Sequence, residues 1–493
     1  MIGTGLSSEP ILYYLSKTNL KVLIVDKSDI QFNYNRFKLK NSKISRLTPK
    51  QIYSNLFIKS DSKYVPITKN ARLSCSRFNY LYSPTSGGLS NFWGGGIFEW
   101  SDEDLKKTTS IPISRIKLSY KSIKERLHAS RIDKYFQSSR INYLLECNNK
   151  VNSILNIKST EFLLDQKGLT EHEKARKPFD QHLIWNSLST IRSYIISSNN
   201  LIYKPNITVN SITDKKTYKI IKCSSNLKDF EIHAKAIFLC CGTVNSTLLA
   251  FSALDMTNAC FNLFHNSAAI VPLFISSNIK TITSNEPQLP ELTWTLRRKI
   301  NHRNKLSSSG YIISSSFLFN KLSNISSAAI FKLSNSVFKC VLSRIFFLTI
   351  YSNSRFSNTK LLIEKDSLCS NSNEIYSLKI KSNLKIIKFL KSLLVDLFSI
   401  NNLIGKRLSI LYPLVRIVRT GGDVHYTSTM LDGSLIKNVI TTNSLGEIDK
   451  LENIYVCDPS RLAYNSSLPH SFTSMAIVDA SMKGIIRKID RSD

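Results

Sequence analysis

The chain has 493 residues, a formal net charge of +32 and 42% hydrophobic residues. That apolar content excludes global disorder, and the length suffices for two or three domains' worth of chain around sizeable cores. With only 16 glycines and 13 prolines, collagen-like and linker-type sequence are excluded as well.

Glycine stands at about 3% against a usual ~7%, and ten of the sixteen fall at four places: Gly3 and Gly5, the segment Gly87–Gly96, Gly242, and the pair Gly421 and Gly422. Where glycine is scarce, each cluster marks backbone that other residues cannot form. The basic residues, in contrast, are scattered singly among Ser, Asn and Ile, with no long like-charge run and no zinc-finger or RNA-recognition signature. This argues against nucleic acid as partner and reads as compositional bias; attraction to an anionic polymer or membrane surface is the alternative. Nine cysteines without a C-x-x-C pair give neither a disulfide framework nor a zinc site, so no metal is expected and a reducing, cytoplasmic setting is.

In chain order, Ile2-Gly3-Thr4-Gly5-Leu6-Ser7-Ser8 fits G-x-G-x-x-G with Ser8 in the third glycine position. Pro10 suits the first turn of a helix whose stripe is Ile11, Leu12 and Leu15. Lys21–Asp26 reads as a buried parallel strand ending in an acid, 23 residues after Gly3. Gly3 permits the tight turn, Gly5 lets backbone approach a pyrophosphate, and Asp26 suits a ribose hydroxyl pair. The strand that should lead into Gly3 is reduced to Met1 and Ile2. Losing a central strand is costly, so the expectation is a true start upstream of Met1.

Ser83–Gly96 is a glycine-aromatic loop around Trp93, suited to lie against a planar ring. Helical patterns are expected at Ser119–Ile132 and Asn383–Phe398, and strands at Leu201–Tyr203, Ile207–Ile212, Ser309–Phe319 and Leu361–Ile363. Ala234–Ser246 reads as a buried strand, a turn at Gly242 and a helix through Leu248–Leu254. The most apolar stretch, Ile330–Tyr351, is interrupted by Lys332, Lys339 and Arg344. It reads as a core-packed helix, with a basic amphipathic helix on lipid as the alternative. Near the C-terminus, His425 and His470 both lie in glycine- or proline-marked loops, with Asp458-Pro459-Ser460 between them.

Taken in order, these islands resemble the glucose–methanol–choline (GMC) family of flavin oxidoreductases. The matching segments are Gly3/Gly5, Gly87–Gly96, Cys241–Thr247, His425, Asp458-Pro459-Ser460 and Pro469–Thr473. The resemblance implies an α/β fold, with a Rossmann-like FAD-binding domain split over residues 1–100, 190–260 and 421–493. Residues 101–189 and 261–420 would form an α+β substrate-binding cap. It implies FAD and oxidation of an alcohol or saccharide hydroxyl to a carbonyl, with an electron acceptor that the sequence does not name. By the same resemblance, His425 is the base and His470 its partner, with the roles open to exchange. Neutral imidazole suits removal of an alcohol proton as hydride leaves carbon.

Cofactor positions implied at the first two islands are Gly3, Gly5, Leu6, Ser7, Asp26, Lys27, Gly88, Asn91, Trp93, Gly94 and Gly95. Those implied later are Val209, Cys241, Gly242, Asp458, His470 and Thr473. No histidine lies in Gly87–Gly96, so a non-covalent flavin is expected. The chain departs from the family at Ser8, at the missing first strand, and at Tyr426-Thr427-Ser428-Thr429 after His425. The alternative function is a non-catalytic flavoprotein-like protein, docking through its basic surface on an anionic polymer or membrane.

Overall fold

The computed structural model describes residues 1–27, 58–59, 65–68, 71–76, 78, 80–83, 86–91, 93, 95–131, 155–159, 161–162, 185–215, 217–225, 228–275, 290–300, 303–314, 344–365, 375–382, 385–404, 408–435 and 439–491. Its organising layer is parallel. Strand Val22–Val25 pairs with Leu201–Lys204, and Ile237–Leu239 pairs with Ile454–Val456. Ile2 bridges Val25 on one side and Leu239 on the other, both parallel.

Met1 and Ile2 therefore fill the central slot of the layer. Ile2 donates its N–H to Phe238 O at 2.9 Å and accepts from Cys240 N–H at 2.8 Å, while Met1 O accepts from Val25 N–H at 3.0 Å. Two residues thus make the bonds of a strand, as buried backbone groups require.

The layer is covered by helices whose apolar stripes it buries. Ile11, Leu12 and Leu15 of helix Ser8–Leu15 are buried with Ile24, Leu201, Phe238 and Tyr455. The C-terminal helix Ser471–Arg491 adds Val478, Met482, Ile485 and Ile489 to the same cluster. Its first turns, through Phe472, Met475 and Ala476, pack with Trp100, Ile116 and Tyr120. Each such side chain contributes roughly 1.5–3 kcal/mol when fully buried, so this helix ties two clusters together.

The remaining sheets are largely antiparallel. Three strands, Thr208–Asp214, Lys219–Ser224 and Asp229–Ala234, form a meander. Five more, in the order Asn258–Asn262, Thr359–Lys365, Tyr376–Ser382, Ala71–Ser76 and Val65–Thr68, form a mixed sheet drawn from distant parts of the chain. A seven-stranded sheet is built around Ser267–Ile275, Ile345–Ser352, Arg303–Ser314 and Pro290–Ile300. Helix Ile386–Ile404 buries Phe389, Leu393, Leu397 and Ile400 on it.

Most expected elements are present with shifted ends. The helix expected at Ser119–Ile132 runs from Ile113 to Arg126, because Pro112 sets its start and His128 adopts φ 51° just past its end. The helix expected at Asn383–Phe398 is Ile386–Ile404. The Ser309–Phe319 strand is Arg303–Ser314, and its expected last residues lie outside the described ones.

One expectation is overturned. Ile345–Ser352, inside the stretch read as a helix, is a strand with alternating buried and partly buried residues. Its β-branched and aromatic residues suit a pleated sheet, and a short apolar run does not reveal its period before its neighbours are known. The N-terminal part of that stretch lies outside the described residues. Among the described residues no helix is long and apolar enough to cross a membrane, and all six described cysteines are free thiols.

Candidate active site

All strands of the parallel layer run in one direction, so their carboxyl ends converge: Gly3 after Ile2, Asp26 after Val25, Cys240–Gly242 after Leu239, and Cys457–Asp458 after Val456. In open parallel sheets that edge is where ligands bind. Gly3 is the pivot. Its φ is +87°, and a Cβ there would lie 2.7 Å from Cys240 O, so no other residue lets the chain turn this close to its neighbour.

The turn is knitted to the second glycine island. The Thr4 hydroxyl donates to the Asp26 carboxylate and accepts the Gly87 N–H at 2.8 Å. Ser187 donates to Thr4 O at 2.6 Å, and its own N–H is accepted by Ser90 Oγ at 3.1 Å. Gly88, at φ +55°, lies over Gly5, whose Cα is 3.7 Å from where a Gly88 Cβ would be. Two segments more than eighty residues apart thus form one thin wall of backbone.

That wall bounds a cavity of about 520 Å³. Gly3, Gly5, Leu6, Ser7, Asp26 and Lys27 line one end of it. Gly88 and Trp93 line it from the glycine loop, and Val209, Cys241, Gly242 and Asp458 from the later islands. His425 and His470 line the same cavity. Two expected positions, Gly95 and Thr473, are placed differently. Gly95 is buried at φ +68° and does not line the cavity. Thr473, also off the wall, shares a 2.7 Å hydrogen bond with the Tyr120 hydroxyl. Asn91 ends the short 3-10 turn Gly88–Asn91, and its side chain lies outside the described ones. Gly94 lies outside the described residues.

Asp458 is held from all sides. Gly242 N–H donates to Oδ2 at 3.0 Å, Ser460 N–H to Oδ1 at 3.0 Å, and the hydroxyls of Ser246 and Ser460 also donate. Burial pushes this carboxyl upward, against those bonds. The residue therefore locks the Gly242 turn to the end of strand Ile454–Val456.

The two histidines face each other edge to face, ring centroids 5.3 Å apart at 79°. His470 is 6% exposed, and among the described residues neither ring nitrogen has a hydrogen-bond partner. Burial, and then the nearby His425 ring, lower its pKa to about 3, so it is neutral across the physiological range.

Sequence reasoning missed the groups around them. Asp423, two residues before His425, has a side chain only 1% exposed and lines the cavity. Its Oδ2 is 3.5 Å from His425 Nδ1, and its Oδ1 is 3.7 Å from Nδ1 of the fully buried His265. Burial alone would raise its pKa, but the two imidazoles outweigh this and hold it well below the usual carboxylate range. Tyr311 and Tyr351 reach the cavity from the seven-stranded sheet, with Tyr351 edge-on to His425 at 5.6 Å. Asp423 was findable as an acid in the same glycine-marked loop; the two tyrosines and His265 carry no local motif.

No family model matches this chain, and no curated protein matches it in sequence. Among solved structures it is similar to the crystal structure of pyridoxine 4-oxidase from Mesorbium loti, with TM-score 0.60 and 11% identity over 98% of each chain. The chain therefore has a mixed α/β fold similar to that of this oxidase, the kind of fold to which the sequence motifs pointed.

Proposed function

We propose that this protein is an FAD-dependent oxidoreductase of the GMC type, which oxidises a CH–OH group to a carbonyl. In this reading the parallel layer and the residues around it bind FAD non-covalently, and the seven-stranded sheet belongs to a substrate cap. The observation that carries it is one continuous cavity that runs from the Gly3–Ser7 turn and Asp26 to the paired imidazoles of His425 and His470.

The residues present suit such a cofactor. A Cβ at Gly3 would meet Cys240 O at 2.7 Å, and Gly88 lies directly over Gly5, so the wall is thin enough for backbone amides to approach a pyrophosphate. Asp26, at the end of its strand, would hold a ribose, and the amino end of helix Ser8–Leu15 would face the phosphates. When bound, a flavin supplies the two-electron acceptor for hydride.

The chain's own part is proton management and orientation. His425 accepts the hydroxyl proton as the carbon–hydrogen bond breaks and the carbonyl forms. His470, neutral at physiological pH, donates a hydrogen bond to the oxygen as negative charge develops there. Tyr311 and Tyr351 line the cavity beside the histidines and would give the substrate an aromatic surface.

The test is spectroscopic. Purified protein supplied with FAD should be yellow, and an anaerobic panel of alcohols and sugars should contain one that bleaches it. His425→Ala and His470→Ala should retain FAD yet slow that bleaching by roughly 10²–10⁴-fold, the usual contribution of a positioned base. Protein that stays colourless with FAD, or unchanged bleaching in both variants, would refute the reading.

A further inference from the structure

Asp423 has an unusual position for a carboxylate. It is 1% exposed on its side chain, and among the described residues its one well-formed hydrogen bond comes from the Asn266 N–H to Oδ2 at 2.9 Å. Oδ1 is buried with no hydrogen-bond partner among the described residues. A buried carboxylate so short of donors is costly unless a neighbouring group supplies a proton or positive charge.

Two imidazoles are in reach, and they are not equivalent. His265 Nδ1 lies 2.8 Å from the carbonyl oxygen of Asn266. A carbonyl cannot donate, so that nitrogen carries a hydrogen, and the hydrogen is directed at Asn266 O. Toward Asp423, at 3.7 Å, His265 offers only a secondary contact. His425 Nδ1 has no other partner among the described residues and stands 3.5 Å from Asp423 Oδ2. If Nδ1 were the bare nitrogen, its lone pair would face a carboxylate inside a buried pocket, and both groups would be worse off. If Nδ1 is protonated, it supplies the donor that Asp423 needs. A neutral imidazole holds one hydrogen, so its Nε2 is then a lone pair.

We propose that Asp423 is a positioning residue, which holds the neutral His425 in the Nδ1–H form and so keeps the Nε2 lone pair available to a hydroxyl in the cavity. His265, tethered by Asn266 O, stands 3.7 Å from the other carboxylate oxygen. The inference rests on the reading of His425 as the base. Tyr351, edge-on to His425, carries a phenol that burial keeps protonated, whereas Asp423 is a carboxylate beside the same ring.

The measurement is a long-range proton–nitrogen spectrum of protein labelled with ¹⁵N-histidine, the His425 signal being assigned by its loss in His425→Gln. Near neutral pH, wild type should give the Nδ1–H pattern. Asp423→Asn offers Nδ1 an amide hydrogen instead and should shift the signal toward the Nε2–H pattern, while Asp423→Glu keeps it at Nδ1–H. With an alcohol that bleaches the flavin, Asp423→Asn should lower kcat by roughly 10²–10⁴-fold with KM changed less than about threefold, as wrong-tautomer variants of acid–histidine pairs do. A wild-type Nε2–H pattern, or one pattern common to wild type and Asp423→Asn, would overturn the proposal, and the wild-type spectrum decides even if that variant does not fold. If no alcohol is oxidised, the functional reading fails, while the spectra still decide the tautomer.

Discussion

Gly3 and Gly242 both have φ near +85°, yet their surroundings differ. At Gly3 an added Cβ meets Cys240 O at 2.7 Å; at Gly242 it meets nothing within 4 Å. Gly242→Ala should therefore cost only the backbone penalty of its φ 85°, ψ 159° conformation, roughly 1–3 kcal/mol. Gly3→Ala should cost more and also lose FAD, because the turn must open. Denaturant unfolding and flavin content of the two variants check this, and equal losses would contradict it. His470 gives a second residue-scale prediction. Its folded pKa, about 3, is below the ordinary 6.5, so the unfolded state binds the extra proton. Its contribution to stability is complete above about pH 6.5 and is lost progressively as pH falls toward 3. His470→Asn should flatten the acid limb of the stability curve between pH 6.5 and 4, where Asp423, whose pKa is lowered, has not yet begun to titrate.

At the scale of elements, helices are joined by charge as well as by apolar stripes. Arg126, at the end of helix Ile113–Arg126, grips Glu9 with Nε at 2.8 Å and Nη2 at 2.9 Å, and reaches Asp479 at 3.0 Å. Glu9 lies on the first helix and Asp479 on the C-terminal one, both buried. Tyr194 adds a hydrogen bond to Glu9 at 3.1 Å. Arg126→Met would strand two buried carboxylates and should cost roughly 3–5 kcal/mol. The companion Arg126→Met/Glu9→Gln/Asp479→Asn should recover much of that loss. Thermal unfolding of both compares them; a triple variant no more stable than the single would show that the charges are not what matters. None of this cluster was marked in the sequence, since Glu9, Arg126 and Asp479 are individually ordinary residues on helix faces.

For the whole molecule, the decisive feature is where the cavity lies. Its cofactor-like end belongs to the parallel layer, and its other end to the seven-stranded sheet through Tyr311 and Tyr351. The two ends should be separable. Tyr351→Ala should raise KM for the alcohol about tenfold, equivalent to ~1.4 kcal/mol, with FAD content unchanged. FAD at a hundredfold excess over its Kd should stabilise the protein by about 2.7 kcal/mol, an effect that Asp26→Ala should diminish and Tyr351→Ala should not. Calorimetry with and without FAD reads both, and a Tyr351→Ala protein that no longer takes up flavin would break the division.

What the sequence determined by itself is local. The turn at Gly3, the strand ending in Asp26, the Gly242 turn and the two histidine loops were legible because each needs particular backbone or chemistry within a few residues. The tertiary structure decided what had no local signature. It turned Ile345–Ser352 into a strand, because pairing and not period settles a short apolar run. It set Asp423 between His265 and His425, 158 residues of chain being folded back to bring the first of these in. It also let Met1 and Ile2 complete the centre of the parallel layer, since hydrogen bonds from both neighbouring strands meet there. Residues distant in sequence become a site only when buried polar groups must find their partners, and that requirement acts on the folded chain as a whole.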